Sequence, residues 1–351
     1  MKMIKPGFTI YEIPDAQNHD EVLMHIEKIG RVCYKSEDKI TIGSANKFLE
    51  SIRNRKHWAV LEHYIFVLSV PEEIYRNFEY LNDIANIYSD SEYILKSSFL
   101  HRTEWLNPNI NRWEYLVSFS ATTLNYLVNC DTIKDDLDNG ILLLYKFMKN
   151  LYPEIIVDID FDTYLPIDSG IRLLSRSEIR ALPKWLRDIH DSMSVLFTVD
   201  RGISHEIVRH RPASFAQEST RYCNYSNGKF NSEITVIIPS FFDTGIGEMS
   251  NSFVFDEWRC SCEVAERAYF KLLEYKATPQ QARSVLPNSL KADIVMTATI
   301  HEWKHFFDMR CDIAAHPQMR EVTCPLLTEA NTKNDYYKDL FNNQIKFIKE
   351  N

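Results

Sequence analysis

The sequence predicts an α+β fold, a β-sheet flanked by helices, and three observations carry that expectation. Short β-rich runs such as Ile65-Phe66-Val67-Leu68-Ser69-Val70 and Ile234-Thr235-Val236-Ile237-Ile238 recur far apart in the chain. Longer stretches elsewhere carry apolar residues at helical spacing, clearest from Phe255 to Lys276. Only nine glycines occur, with no GxGxxG after a strand and no GxxxxGK[ST], so a Rossmann turn or a phosphate loop is not the organising device.

In chain order, the alternation from Phe8 to Ile13 predicts a strand and Glu21 to Ile29 a helix. Ser44 is expected to cap a helix through Arg53, with Phe48, Leu49 and Ile52 inward. His57-Trp58-Ala59-Val60-Leu61-Glu62-His63 then leads into the strand at Ile65–Val70. Glu72 to Tyr88, Trp113 to Val128 and Gly140 to Leu151 are predicted helical. Ser194 to Val199 is a strand, and Asp200 caps the helix that carries Ile203, Ile207 and Val208. Arg209, His210 and Arg211 fall at that helix's last turn, where the macrodipole favours cations, and Pro212 stops it. Thr278-Pro279-Gln280-Gln281 combines a Thr cap, a first-position proline and a capping-box glutamine, which orders Arg283 behind it. A further helix is predicted from Ala292 to Phe307. Trp258, Cys262, Ala265, Tyr269 and Leu272 form the inner stripe of the long helix, a core feature and no cofactor box.

At 351 residues the chain can bury one large core or two ordinary ones. Its formal net charge of -9 argues against a broad nucleic-acid surface. With no apolar run long enough to cross a bilayer and no leader pattern at Met1-Lys2-Met3-Ile4-Lys5, a cytoplasmic protein is expected. The seven scattered cysteines suggest a reduced chain without a disulfide framework. His57, Glu62 and His63 do not have HExxH spacing, so no metal site is expected.

The most chemically loaded stretch is Arg209-His210-Arg211-Pro212-Ala213-Ser214-Phe215-Ala216-Gln217-Glu218-Ser219-Thr220-Arg221-Tyr222. It mixes guanidiniums, imidazole, hydroxyls and amides too densely for a solvated face, and suits an anion, most naturally phosphate. Arg-His-Arg followed after seven residues by Ser219 resembles the signature of the flavin-dependent thymidylate synthases. The segment His57…Glu62-His63, the string Ala282-Arg283-Ser284-Val285-Leu286-Pro287, Arg310 and the tail Ala315-His316-Pro317-Gln318-Met319-Arg320 are similar too, so the resemblance spans about 30–70 and 195–325. Glu206 stands where that family usually has Gln, and Thr299, His301 and Ala216 replace Asn, Arg and Asn or another polar residue.

The resemblance implies a core from 1–70 and 191–351, interrupted by a mainly helical insertion at 71–190. It implies reductive methylation of dUMP to dTMP with methylenetetrahydrofolate, FAD and NADPH, in a homotetramer with active sites at subunit interfaces. Arg310 and His57 are then the catalytic candidates. Glu206, Arg209, Gln217, Glu218, Ser219, Thr220, Arg221, Arg283 and Arg310 are the dUMP candidates. Ala59, Glu62, Arg209, His210, Arg211, Gln217, Thr299, His301 and His305 are the FAD candidates. Two other readings compete: a nucleotide- and flavin-binding regulatory paralogue without the chemistry, and a thiol enzyme using Cys223 beside Arg221.

Overall fold

A computed structural model describes residues 1–76, 100–129, 139–159, 170–226, 228–230, 232–242 and 252–350. The strands are β1 (Lys2–Ile4), β2 (Gly7–Tyr11), β3 (Ile65–Val70), β4 (Leu100–Asn107), β5 (Arg112–Ser120), β6 (Arg172–Leu173), β7 (Ser192–Asp200), β8 (Ser214–Gln217), β9 (Thr235–Ile237) and β10 (Lys291–Thr299). The helices of the first half are α1 (His19–Val32), α2 (Ser44–Asn54), α3 (Ala121–Asn129), α4 (Asn139–Leu151), α5 (Arg176–Ala181) and α6 (Lys184–His190). Those of the second half are α7 (Arg201–Ile207), α8 (Ser252–Glu274), α9 (Pro279–Ala282), α10 (Ile300–Arg310), α11 (Pro317–Thr332) and α12 (Asn342–Glu350). The α+β expectation holds.

The sheet that positions the site runs in the order β2-β7-β10-β8, with every pair antiparallel. Its side chains alternate between two helical layers. Val195, Phe197, Val199, Ile294, Met296 and Ala298 pack with Trp303, Phe306 and Phe307 of α10 and Met319, Val322 and Leu326 of α11. From the opposite face, Val295 and Ala216 meet Ile29 and Val32 of α1. The Trp303 indole N–H, fully buried, donates to the Met193 carbonyl at 2.8 Å and locks α10 onto β7.

Burial on both faces explains two corrections. The helix expected from Ala292 to Phe307 is in fact β10 followed by α10, and β10 is buried at eight consecutive positions. A strand covered on both sides shows no polar alternation and looks like a buried helix. The helix expected from Trp113 to Val128 is β5 followed by α3, for the same reason: Leu116 to Ser120 are all buried.

The stretch 71–190, expected to be mainly helical, carries the β4–β5 hairpin and β6 as well as α3 to α6. These strands build a second sheet in the order β4-β5-β3-β6, and β3 lies between β5 and β6. Residues 72–76 are helical, and the remainder of the predicted Glu72–Tyr88 helix lies outside the described residues. Gly140 to Leu151 is helical as expected.

Local capping signals fare well. Asp200 accepts the Ile203 N–H at 2.8 Å, and the Gln281 side-chain carbonyl accepts the Thr278 N–H at 2.9 Å. Ser44 is a correction: it is the first helical residue of α2, preceded by Gly43 at φ 77°, and its hydroxyl donates to Glu27 at 2.8 Å. Left-handed backbone at Gly43 is cheap because no Cβ is present.

Candidate active site

The Arg-His-Arg run lies just beyond α7, which ends at Ile207, rather than within its last turn as expected. That single turn changes what the three side chains do. His210 is buried and receives the Arg310 Nε–H at its Nε2 atom, 2.7 Å away. Arg310 arrives from the last turn of α10 and also donates through Nη1 to the Glu206 carboxylate at 2.9 Å and through Nη2 to the Glu206 carbonyl at 3.1 Å. Three of the five guanidinium N–H groups are thus committed, which fixes the plane and leaves two for a ligand. Burial, then the Arg310 charge and His305, push His210 down to about 4, so it stays neutral and can accept. The His210 ring also meets Phe306 edge-on at 4.7 Å and lies 6.0 Å from the His305 ring.

A second cluster forms where α7 meets the segment 280–290. Arg283 Nη1 donates to the buried Thr220 hydroxyl at 3.2 Å, and Arg221 Nε donates to the Gln280 carbonyl at 3.1 Å. Thr220, Gln280, Arg283 and Ser284 line a cavity of about 500 Å³ together with Arg201, His205 and Asn288. No aspartate or glutamate is among the lining residues. In a chain of net charge -9, a cavity lined by arginines and neutral donors, without a carboxylate, is an anion trap in electrostatic terms. α7 joins the two clusters, since His205 faces the cavity and the next residue, Glu206, holds Arg310.

The remaining candidates divide. Ser219 is tied by its N–H to the Cys33 carbonyl at 3.0 Å, and its hydroxyl accepts the Arg221 N–H at 3.3 Å. Gln217 donates to Ser204 of α7 at 2.8 Å. Glu218 is 2% exposed and salt-bridged to Lys291 at 2.7 Å, so it braces the floor instead of lining the cavity. Lys291 and Lys35 also hold Asp293. Burial works against the Asp293 charge, but the two lysines outweigh it and keep the carboxyl at about 2.

Among the FAD candidates, Glu62 accepts a hydrogen bond from Ser214, and burial raises its carboxyl more than Ser214 and the Arg211 charge lower it. His57, Ala59, Arg209, Arg211, His301 and His305 are all exposed. Thr299 is 2% exposed and caps α10, accepting the Glu302 N–H at 3.4 Å. A threonine at this position thus has a local role in starting α10. Cys223 is 2% exposed, which leaves the thiol-enzyme alternative without an accessible sulfur. Sequence reasoning missed Arg201, His205, Gln280 and Lys291 as parts of the region. None of the four carried a motif, although Gln280 lies between Pro279 and the capping-box residue Gln281.

Residues 189–333 match the family described as thymidylate synthase complementing protein. A flavin-dependent thymidylate synthase from Pyrococcus horikoshii is 32% identical over 155 residues, and one from Thermococcus kodakarensis is 33% identical over 161. Over these parts the chain is similar to the flavin-dependent thymidylate synthases. Both arginine clusters fall inside the matched region, whereas His57, Ala59 and Glu62 precede it. The alignment with the Pyrococcus horikoshii protein covers 42% of this chain and 60% of that one. With the Thermococcus kodakarensis protein it covers 44% and 62%, and with the synthase from Pyrococcus abyssi, 28% identical, 44% and 64%. The chain thus spans less than two thirds of the length of these relatives. Among solved structures, a UMP/dUMP methylase from Streptomyces cacaoi is 20% identical, with a TM-score of 0.37 over 49% of this chain and 83% of that one.

Proposed function

We propose that the protein performs reductive methylation of dUMP to dTMP, with methylenetetrahydrofolate as one-carbon donor, FAD as electron carrier and NADPH as reductant. The observation that carries this proposal is the carboxylate-free cavity in which Arg283 meets Thr220 of the motif, with Arg221 held beside it by Gln280, one helix away from a guanidinium held by Glu206 and His210. The first arrangement suits a phosphate monoester. The second presents two spare N–H groups of a rigid cation, suited to a uracil ring that loses its N3 proton. Arg310 stabilises that developing negative charge, and it can do so without reorganising because its plane is already fixed. Glu206 and Gln217 orient the nucleotide, and Ser219 completes the phosphate cradle.

The donor set also fits a flavin. Arg209 and Arg211 are exposed, and among the described residues neither has an ion-pair partner, so both are available for a pyrophosphate. His57, Ala59, Glu62, His301 and His305 complete that side, and Thr299 contributes by starting α10. When bound, FAD supplies the reducing equivalents that convert the transferred methylene to a methyl group. Because the flavin-side residues are exposed in a single chain, the active site is assembled between subunits of a homotetramer. Residues 71–190 are an insertion in the 1–70 and 191–351 core, and the protein works in the cytoplasm. Among the described residues, no helix is long and apolar enough to cross a membrane.

The deciding experiment combines flavin absorbance of the purified protein with dTMP formation from dUMP, methylenetetrahydrofolate and NADPH. A yellow protein that forms dTMP is the expected result. A protein that binds dUMP and holds FAD yet forms no dTMP would sink the proposal in favour of the regulatory paralogue, and one that holds no FAD would sink both.

A further inference from the structure

Away from the two arginine clusters, the fold brings two thiols together. Cys311 directly follows the last residue of α10, and Cys324 lies midway along α11. The two elements are stitched at this point, because the Thr323 hydroxyl donates to the Arg310 carbonyl at 2.9 Å. The next residue on each side is a cysteine, and the two cysteine side chains are hydrogen-bonded to each other. The pair is asymmetric. Cys311 is 4% exposed and belongs to the apolar cluster of Phe306, Phe307 and Met319, whereas Cys324 is half-buried at the rim of that cluster. The hydrogen bond from Cys311 holds the Cys324 thiol below its usual range; burial opposes this, and the Arg320 charge assists it. The same hydrogen bond, and then burial, push the Cys311 thiol up. Arg320 Nε is buried and has no hydrogen-bond acceptor among the described residues, so a negatively charged sulfur beside it answers an unmet donor. One thiol is thus reachable and inclined to ionise, and the other is held protonated directly behind it. Because the thiolate is the nucleophilic form, Cys324 is the attacking sulfur and Cys311 the resolving one.

We propose that Cys311 and Cys324 are a redox-active pair, a modification site at which hydrogen peroxide closes a reversible disulfide between the end of α10 and α11. The Cys324 thiolate attacks one peroxide oxygen and breaks the O–O bond; the departing hydroxide takes up a proton and leaves as water, and Cys324 becomes a sulfenic acid. The Cys311 sulfur then attacks the Cys324 sulfur, and the hydroxyl group leaves with the Cys311 proton as a second water. The two thiols lose two protons and two electrons, and the peroxide is reduced to two waters. Pro325 follows Cys324 inside α11 and has no N–H to give the helix ladder, which leaves the backbone there freer to follow the sulfur. The bond ties α11 to the residue next to Arg310, the guanidinium that Glu206 and His210 hold. The proposal is independent of the methylation reading, since no step in it uses a nucleotide or a flavin.

The folded protein is treated with hydrogen peroxide, blocked with N-ethylmaleimide in denaturant and mapped by mass spectrometry with trypsin. Cleavage after Arg310, Arg320 and Lys333 places the two cysteines on separate peptides, 311–320 and 321–333, so the disulfide is read directly as a linked pair. The expected result is that linked pair, a mass loss of about two hydrogens in the intact chain and full reversal by dithiothreitol. Cys311→Ser is expected to stop at the Cys324 sulfenic acid, trapped with dimedone, and Cys324→Ser to leave Cys311 reduced. Absence of the 311–320 to 321–333 link in peroxide-treated folded protein overturns the proposal, as does a linked pair in which Cys324 is joined to a different cysteine. Dimedone trapped at Cys311 in Cys324→Ser overturns the assigned roles. Should either serine variant fail to fold, the peptide map of the unaltered chain decides by itself.

Discussion

Replacing Arg283 with alanine separates ligand binding from folding. Among the described residues its guanidinium makes one hydrogen bond, to Thr220 Oγ1 at 3.2 Å, and it lines a cavity with no carboxylate among its lining residues. A bond of that kind is worth about 1 kcal/mol net to the fold. Its loss is partly offset by relief of the repulsion from Arg201 across the same cavity. Urea unfolding of the ligand-free variant should thus change by less than about 1 kcal/mol. The bound state loses more, because a charged contact to a phosphate is worth roughly 1.5–3 kcal/mol. In affinity that is about a ten- to a hundred-and-fifty-fold weakening of dUMP, read by calorimetry. The stabilisation conferred by saturating dUMP in a thermal melt should fall in step. A variant that folds normally and binds dUMP as tightly as the parent would refute the phosphate assignment of the cavity.

Arg310→Ala is expected to depress turnover by an order of magnitude or more while bound flavin, followed by its visible absorbance, stays near the parent level; full activity would remove Arg310 from the chemistry. Asp200→Ala removes the α7 cap and the Gln318 contact, and should cost about 0.5–2 kcal/mol in urea unfolding, with dUMP affinity falling as α7 loosens. The buried histidines set an acid limit. Burial first, and neighbouring histidines second, lower His63 and His190 to about 3, while burial and Arg310 lower His210 to about 4. An unfolded chain takes up these protons near pH 6.5, before the folded one does, so stability falls as pH drops from about 6.5 toward 3 and levels off below. Urea midpoints measured across that window should decline, and a flat profile would contradict neutral burial of these rings.

What the sequence made legible was local. The Asp200 cap, the Thr278–Gln281 box and the run Ile65–Val70 each depend on residues a few positions apart, and each is present in the fold. What it hid depends on tertiary burial. β10 offers no alternation because α1 covers one face and α10 with α11 the other, and its Ala-Asp-Ile-Val-Met-Thr-Ala-Thr sequence reads equally well as helix. Arg209 to Arg211 drew attention through density alone, yet the structure spreads them between a buried acceptor and two exposed cations. Glu218 looked like a cavity group, but Lys291, 73 residues away, makes it a brace. Arg201 and His205 carried no motif, and only the approach of the segment 280–290 to α7 brings them to a shared cavity.

The placement of β3 has a practical consequence for anyone wishing to trim this chain. The strand continues directly from the His57–Glu62 turn, and both of its neighbours, β5 and β6, come from residues 71–190. Excising that stretch would strip β3 of its ladder on both flanks, exposing a row of bare amides and carbonyls on a six-residue, mostly apolar strip. A chain trimmed in this way would be expected to clump before it could be assayed, so residues 71–190 would have to be replaced with something that pairs with β3, not merely cut away.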